Sequence, residues 1–395
     1  MKENGMQEAI ISGGRVLHHG PRRSLLLLTA SVGDGEIEGV GEAILEGSAD
    51  TVESILEQMI LTAVGKTVWS AEELEMQMRA GSFYPPGMLG LSALSAMDQA
   101  IWDLKGKALG IPVWKMLGGS FHTRVPLYFH AQSGDAFPTS EQDARDRAVA
   151  AVASASEALN NGARMVKTCV FGPVQSLPTR RQLHLQVIFL QELQELIGPE
   201  VDLAVDVHGR YTYPGVLRLL EALAELPLAF VEEPLHPVDR LSYARVVERS
   251  PFPIAAGERL GELWEFRQAL DDGITILQPD LAHCGGLTGG MRIGALARTA
   301  GAQVALHNPL GPVNLVASIN LVASQSNFMI QETVDLGGSL LVEPLRLEDG
   351  TINVHEQLNA PGLGLVIDPR KLLGGGGSDW RTPVWRDEIG AVRPW

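Results

Sequence analysis

Two rhythms of apolar and polar residues divide this chain. Up to about Arg124 the pattern is mixed. SLLLLTASV and GEIEGVGEA read as two strands joined at Gly33–Gly35, a hairpin signal. From Ala49 to Ala80, and again from Leu89 to Leu109, apolar residues return at the helical period. The second run stops at Gly110 with Pro112 beyond it, which is helix-ending chemistry. The Pro- and Gly-rich stretch AGSFYPPGM lies between the two helical runs.

From about Val125 the rhythm changes. Short apolar runs each end in a polar residue and are followed by a helical pattern: VPLYFHA, ARMVKTCV, VDLAVDVHG, LAFVEEP, FPIAAGE, ITILQPD, AQVALHN and NFMIQET. Eight strands with helical stretches between them predict parallel βα units closed into a barrel. A doubly wound sheet could hold as many strands, but no Gly-rich phosphate fingerprint follows the first of them. The expectation is an α/β fold, a modified (β/α)8 TIM-type barrel over residues 125–342. An α+β capping domain is expected from residues 1–124, with the tail 343–395 contributing. FGPVQSLPTRRQ reads as a surface excursion, and GGGGS at Gly374–Ser378 as a loop.

Composition narrows the function classes. With 395 residues, 45% hydrophobic and 20% charged, this is an ordinary globular composition with chain enough for a large core. The net charge of −16 argues against sequence-independent nucleic-acid binding, which needs a basic face. An anionic small substrate stays open, because a bound cation inverts the local field. Two cysteines, Cys169 and Cys284, are too few for a disulfide framework. MKENGMQEAI offers no signal-type apolar run, and Leu25–Ala30 is too short to span a membrane. A cytoplasmic protein with no membrane or nucleic-acid partner is expected.

The polar residues that end the barrel strands carry the chemistry: Lys167, Asp206 with His208, Glu232 with Glu233, Glu258, Asp280, His307 and Glu332. Strand alternation should place Asp206 and His208 on one face, and the C-terminal ends of barrel strands face the active site. Asp206, Glu232 and Glu258 are spaced by 26 residues each, so three acids sit on three adjacent strand ends. Three carboxylates around one small volume repel unless a cation joins them, and oxygen-only ligands favour a hard ion such as Mg2+. Any one of these acids alone is as readily a solvated strand-end residue. Glu233 points to the other face and reads as structural. Asp280 beside His307 fixes an imidazole tautomer and raises its basicity, as a general base requires; a structural, acid-capped histidine is the alternative. His208, across the mouth, can deliver a proton on the other side. Lys167 either adds positive charge for a substrate carboxylate or pairs with one of the acids. Together these residues imply proton abstraction α to a carboxylate.

The motifs VDVHGRY, FVEEP, AAGER, LQPDLAHCGG, LHNPLGP and IQET resemble those of the enolase superfamily, in its mandelate racemase/muconate lactonizing enzyme branch. Within it the pattern is closest to galactonate dehydratase and related acid-sugar dehydratases. The similarity covers nearly the whole chain, including GEAILEG, SALSAMDQAIWDLKGK, PVWKMLGG and DWRTPVWR. The resemblance implies a capping domain over a modified barrel with one Mg2+. It also implies Asp206, Glu232 and Glu258 as metal ligands, His307 as the base with Asp280 its partner, and His208 as the acid for a departing β-hydroxyl. Glu332 would hydrogen-bond to the enediolate. The implied reaction converts an aldonate, galactonate first among them, into a 2-keto-3-deoxy acid. A racemase, epimerase or cycloisomerase on the same scaffold is the alternative; Cys169, where racemase relatives carry a second lysine, disfavours a lysine base there. Substrate-binding candidates are Lys167, Arg210, Tyr84 and Arg22, with His18, His19 and Arg23 nearby in the first loop; solvated loop residues are the plain alternative. The family also implies a homo-oligomer.

Overall fold

The computed structural model describes residues 8–18, 22–81, 83–174, 177–372, 382–387 and 389–393. His19 and the Gly374–Ser378 loop lie outside the described residues.

The chain opens with an antiparallel meander, β1 (Ala9–His18), β2 (Arg23–Val32) and β3 (Gly35–Ile44), in that order. β2 and β3 form the hairpin expected at Gly33–Gly35. The apolar pattern does not announce β1, because Gly13 and Gly14 interrupt it and its register slips between Ile11 and Gly13. The single helical stretch read over Ala49–Ala80 is in fact two helices, α1 (Ala49–Ala63) and α2 (Ala71–Ala80). α3 (Gly87–Leu109) ends at Gly110 in the left-handed region, φ +68°, where a side chain would be strained. α3 lies against β3 so closely that a Cβ on Gly41 would stand 1.9 Å from the Ala96 carbonyl oxygen. Only glycine permits that approach.

After a short helix, α4 (Val113–Met116), the alternation begins. The parallel strands are β4 (Arg124–His130), β5 (Met165–Cys169), β6 (Asp202–Asp206), β7 (Leu228–Glu232), β8 (Ile254–Ala256), β9 (Ile276–Leu277), β10 (Gln303–Val304) and β11 (Gln331–Glu332). Their helices are α5 (Glu141–Asn160), α6 (Arg180–Ile197), α7 (Tyr213–Leu223), α8 (Tyr243–Arg249), α9 (Leu263–Asp271), α10 (Gly286–Thr299) and α11 (Pro312–Val322). Neighbouring strands pair in sequence order, β11 pairs with β4, and a parallel bridge joins Val304 to Phe328 just before β11. The barrel therefore closes, with seven helices following eight strands. No α-helix follows β11 before the tail strand β12 (Thr351–Asn353), which pairs antiparallel with β4. The tail thus returns first to the barrel's own first strand. It then reaches α3, where Leu363 N–H donates to Asp103 Oδ2's partner oxygen, Oδ1, at 2.8 Å.

Inside the barrel lies one compact apolar layer. Tyr128, Met165, Ala204, Phe230, Ala255, Ile276, Ala305 and Ile330 come one from each strand or its continuation. A strand repeats every two residues, so the next inward positions stand above this layer toward the C-terminal ends. Those positions hold the polar groups described below. No helix among the described residues is long and apolar enough to cross a membrane.

Candidate active site

Two residues beyond the apolar layer, the inward positions are His130, Lys167, Asp206, Glu232, Gln278, His307 and Glu332. All seven are buried or nearly so. On β8 the layer residue is followed by Gly257, and Glu258 fills the gap from one residue further. Burying so many ionisable groups is costly unless they pair, and they do. Lys167 Nζ lies 2.6 Å from Glu232, 2.8 Å from Glu332 and 3.3 Å from Asp206. Of the two readings open for Lys167, the structure displays the pairing.

Asp206, Glu232 and Glu258 each present an oxygen within 4.8 Å of the others'. Burial pushes Glu232 well above the usual carboxylate range, and crowding by Asp206, Glu332 and Glu258 adds to it, against the pull of Lys167. Asp206 Oδ2 and Glu258 Oε2 are buried with no hydrogen-bond partner. Only cationic or ionisable nitrogens stand beside them: His208 Nε2 at 2.9 Å and Lys167 Nζ at 3.3 Å from Asp206 Oδ2, and His307 Nε2 at 3.4 Å from Glu258 Oε2. Three oxygen donors on adjacent strands, two with unsatisfied atoms, fit a hard divalent cation.

His208 reaches Asp206 by a different route from strand alternation. β6 ends at Asp206, and His208 sits in the left-handed region at φ +53°. A turn, held by His208 N–H donating to Asp206 Oδ1 at 2.8 Å, brings the ring back beside the carboxylate. Burial alone would lower the His208 pKa, but Asp206 holds it well above the usual value. Arg210, expected to bind substrate, instead supports this ring. Its side chain is 1% exposed and donates from Nη2 to His208 Nδ1 at 3.2 Å, from Nη1 to the Val170 carbonyl, and stacks on Trp385 of the tail. A guanidinium can only donate. With Nδ1 accepting from Arg210, the neutral ring carries its proton on Nε2, 2.9 Å from Asp206 Oδ2.

Across the mouth, His307 Nδ1 donates to Asp280 Oδ2 at 2.8 Å. Burial opposes its charge, yet Glu332, Glu258 and Asp280 raise the His307 pKa to about 10. β6 and β10 are four strands apart in an eight-stranded ring, so His208 and His307 face each other. Glu332 Oε2 accepts from Asn308 N–H at 3.0 Å. Despite burial, Lys167, His307 and His130 hold Glu332 well below the carboxylate range, so it is an acceptor.

Three residues at the site were not singled out from the sequence. His130 Nε2 meets Glu332 Oε1 at 2.5 Å, Gln278 Nε2 donates to Glu232 Oε2 at 2.7 Å, and Arg259 Nη2 donates to the His208 carbonyl at 2.9 Å. The signal for the first two was present: each lies two positions past an inward apolar residue. Glu233 is buried and accepts from Gly257 N–H at 3.0 Å, in keeping with a structural reading. Tyr84 is 74% exposed and packed edge-on against Phe83. Arg22 is half-buried and its carbonyl accepts from Leu45 N–H. Arg23 spans to the barrel, donating to the Leu310 carbonyl and to Ser339 Oγ.

This architecture matches two family models, the mandelate racemase/muconate lactonizing enzyme N-terminal domain over residues 19–118 and the enolase C-terminal domain-like model over residues 150–371. The chain belongs to the mandelate racemase/muconate lactonizing enzyme family. It is similar to D-galactonate dehydratase of Variovorax paradoxus, 33% identical over 372 residues, covering 92% of this chain and 94% of the relative. D-galactonate dehydratase of Xanthomonas campestris pv. campestris is 32% identical over 391 residues, covering 96% and 98%. Among solved structures, a mandelate racemase/muconate lactonizing enzyme from Jannaschia sp. superposes with a TM-score of 0.84 at 26% identity, covering 95% of this chain and all of that one. A related protein of Rubrobacter xylanophilus gives 0.80 at 28% identity, covering 91% and 97%. Membership in this enolase-superfamily family accounts for the capping domain and the modified barrel together.

Proposed function

We propose that this chain is a Mg2+-dependent hydro-lyase of the acid-sugar dehydratase type, with galactonate the leading substrate. The observation that carries the reading is a pair of histidines on opposite sides of three clustered carboxylates. Asp206, Glu232 and Glu258 would hold the cation. When bound, it supplies the positive charge that takes up negative charge developing on the substrate carboxylate.

The protein's own residues do the proton work. Asp280 fixes the His307 ring, so that in its neutral form, with Nδ1–H on Asp280, Nε2 is the atom left to take the α-proton. His208 keeps a proton on Nε2 and can give it to the β-hydroxyl as that group leaves as water. The enol that remains ketonises to a 2-keto-3-deoxy acid. Glu332, held ionised, accepts from a substrate hydroxyl or a protonated enediolate oxygen. A racemase would need bases on both faces of the α-carbon; here the residue two positions beyond Lys167 is Cys169, and His208 is set up to donate.

The test is formation of 2-keto acid by the Mg2+-loaded protein from a panel of hexonates and pentonates. Turnover of at least one member is expected. No product from any of them overturns the dehydratase reading.

A further inference from the structure

We propose that Asn314 and Gln99 are positioning residues for the Asp280–His307 pair, and that the capping domain thereby sets the orientation of the base. The proposal rests on the reading of His307 as the α-proton base. Both amides are fully buried, Gln99 on α3 of the cap and Asn314 at the start of α11 in the barrel.

The chain of bonds has one direction. The Glu42 backbone N–H on β3 can only donate, and it donates to Gln99 Oε1 at 3.0 Å. That fixes the amide sense of Gln99, whose Nε2 then donates to Asn314 Oδ1 at 3.0 Å and to the Leu281 carbonyl at 3.2 Å. Asn314 in turn must present Nδ2, and its two hydrogens go to Asp280 Oδ1 at 2.8 Å and Asn308 Oδ1 at 3.0 Å. Every donor and acceptor of both amides is used in this one arrangement. The other end of Asn314 is held by the cap as well, because its backbone N–H and that of Val313 donate to Glu42 Oε2 at 3.0 and 2.8 Å.

Asp280 is thus bonded on both oxygens. Oδ1 takes Asn314 and the Ala282 N–H, leaving Oδ2 to His307 Nδ1. Without the Asn314 donor, Oδ1 is held by the Ala282 N–H alone at 2.7 Å, so the carboxylate plane is less constrained and the imidazole aim is loosened. Flipping Asn314 would set its oxygen against the Asp280 carboxylate, and Gln99 prevents that flip. A buried network of this kind specifies one geometry only while it is complete.

The variants are Gln99→Met, which keeps volume and removes both donors, and Asn314→Leu. Gln99→Asn, which keeps the amide but withdraws it by one methylene, is the milder third. In the Mg2+-loaded full chain, kcat for 2-keto acid formation should fall roughly 10- to 100-fold, the usual cost of removing a group that orients a reacting one. Exchange of the substrate α-hydrogen with solvent deuterium should fall in parallel. KM and Mg2+ affinity should stay within about threefold, which distinguishes loss of aim from general disruption. The His307 Nδ1 proton resonance, read by NMR, should shift or broaden in all three variants. Unchanged kcat and exchange in any folded variant overturn the proposal, as does a loss of KM and Mg2+ affinity with kcat retained. His307→Asn serves as the reference. If it leaves exchange intact, the base assignment itself fails; if it abolishes exchange while Gln99→Met does not, only the positioning role fails.

Discussion

Replacing Lys167 with Met tests whether one buried ammonium holds the carboxylate ring together. The substitution keeps most of the stem and removes the charge. Lys167 Nζ lies within 3.3 Å of oxygens on Asp206, Glu232 and Glu332, and its side chain is 2% exposed. Removing one partner of a buried ion pair costs about 3–5 kcal/mol, because the other charge is left uncompensated. Three carboxylates share this lysine, so the upper part of that range applies in the absence of a cation. At roughly 2 °C per kcal/mol, the expected loss in EDTA is a Tm drop of about 8–10 °C. The loss should shrink toward acid pH, since burial already favours a proton on Glu232. Saturating Mg2+ should recover much of it, because binding at 100 times Kd stabilises by about 2.7 kcal/mol. Thermal unfolding by circular dichroism, with EDTA and with Mg2+ at pH 8, reads each term. A variant that unfolds within about 1 °C of the parent in EDTA would refute the electrostatic account.

Two further outcomes are expected. Burial raises the Glu42 pKa from 4.5 to about 7, against the pull of Arg23 and the Asn314 and Val313 amides. Folding therefore favours the protonated form: its stability is fully present below pH 4.5 and is lost as pH rises through 7. Glu42→Gln should match the parent at low pH and exceed it by about 3 kcal/mol at pH 8, from about 1.4 kcal/mol per pH unit; a gap in urea unfolding that is flat with pH contradicts this. His130→Phe removes one of the two groups on Glu332 Oε1 and leaves Lys167 Nζ at 2.8 Å, so kcat should fall about 10-fold with Mg2+ affinity unchanged. Titration calorimetry beside steady-state rates separates the two, and an unaltered kcat would show that His130 is only packing.

Much of this arrangement was legible before any coordinates. The strand-end acids at equal spacing, the alternation of short apolar runs with helical ones, and the Gly110 stop all rest on local pattern, which the sequence displays directly. What escaped depended on partners distant in the chain. His130 ends β4, but its meaning comes from β11 closing the barrel beside it, roughly half the chain away. Gln278 looked like one polar residue in ITILQPD until Glu232 was placed next to it. Arg210 resembled a substrate ligand because the stretch following VDVH gives no hint that Trp385 covers it. His208 was assigned to the correct neighbour for an incomplete reason: the strand ends first, and a left-handed turn, not alternation, returns the ring to Asp206. The tail strand β12 pairs with β4 through backbone bonds, which leave little mark on side-chain pattern.

The apolar layer beneath the charged ring has its own consequence. Eight side chains, one per strand or its continuation, close the barrel below the carboxylates and form the floor of the site. The relief of that floor is set by its side chains: Tyr128 and Phe230 are large, while Ala204, Ala255 and Ala305 leave it low. Ala204 lies directly under Asp206 and Ala305 under His307. In the proposed reaction, the height at which a cation-binding carboxylate and the base would meet the substrate is governed by the size of two alanines in the floor.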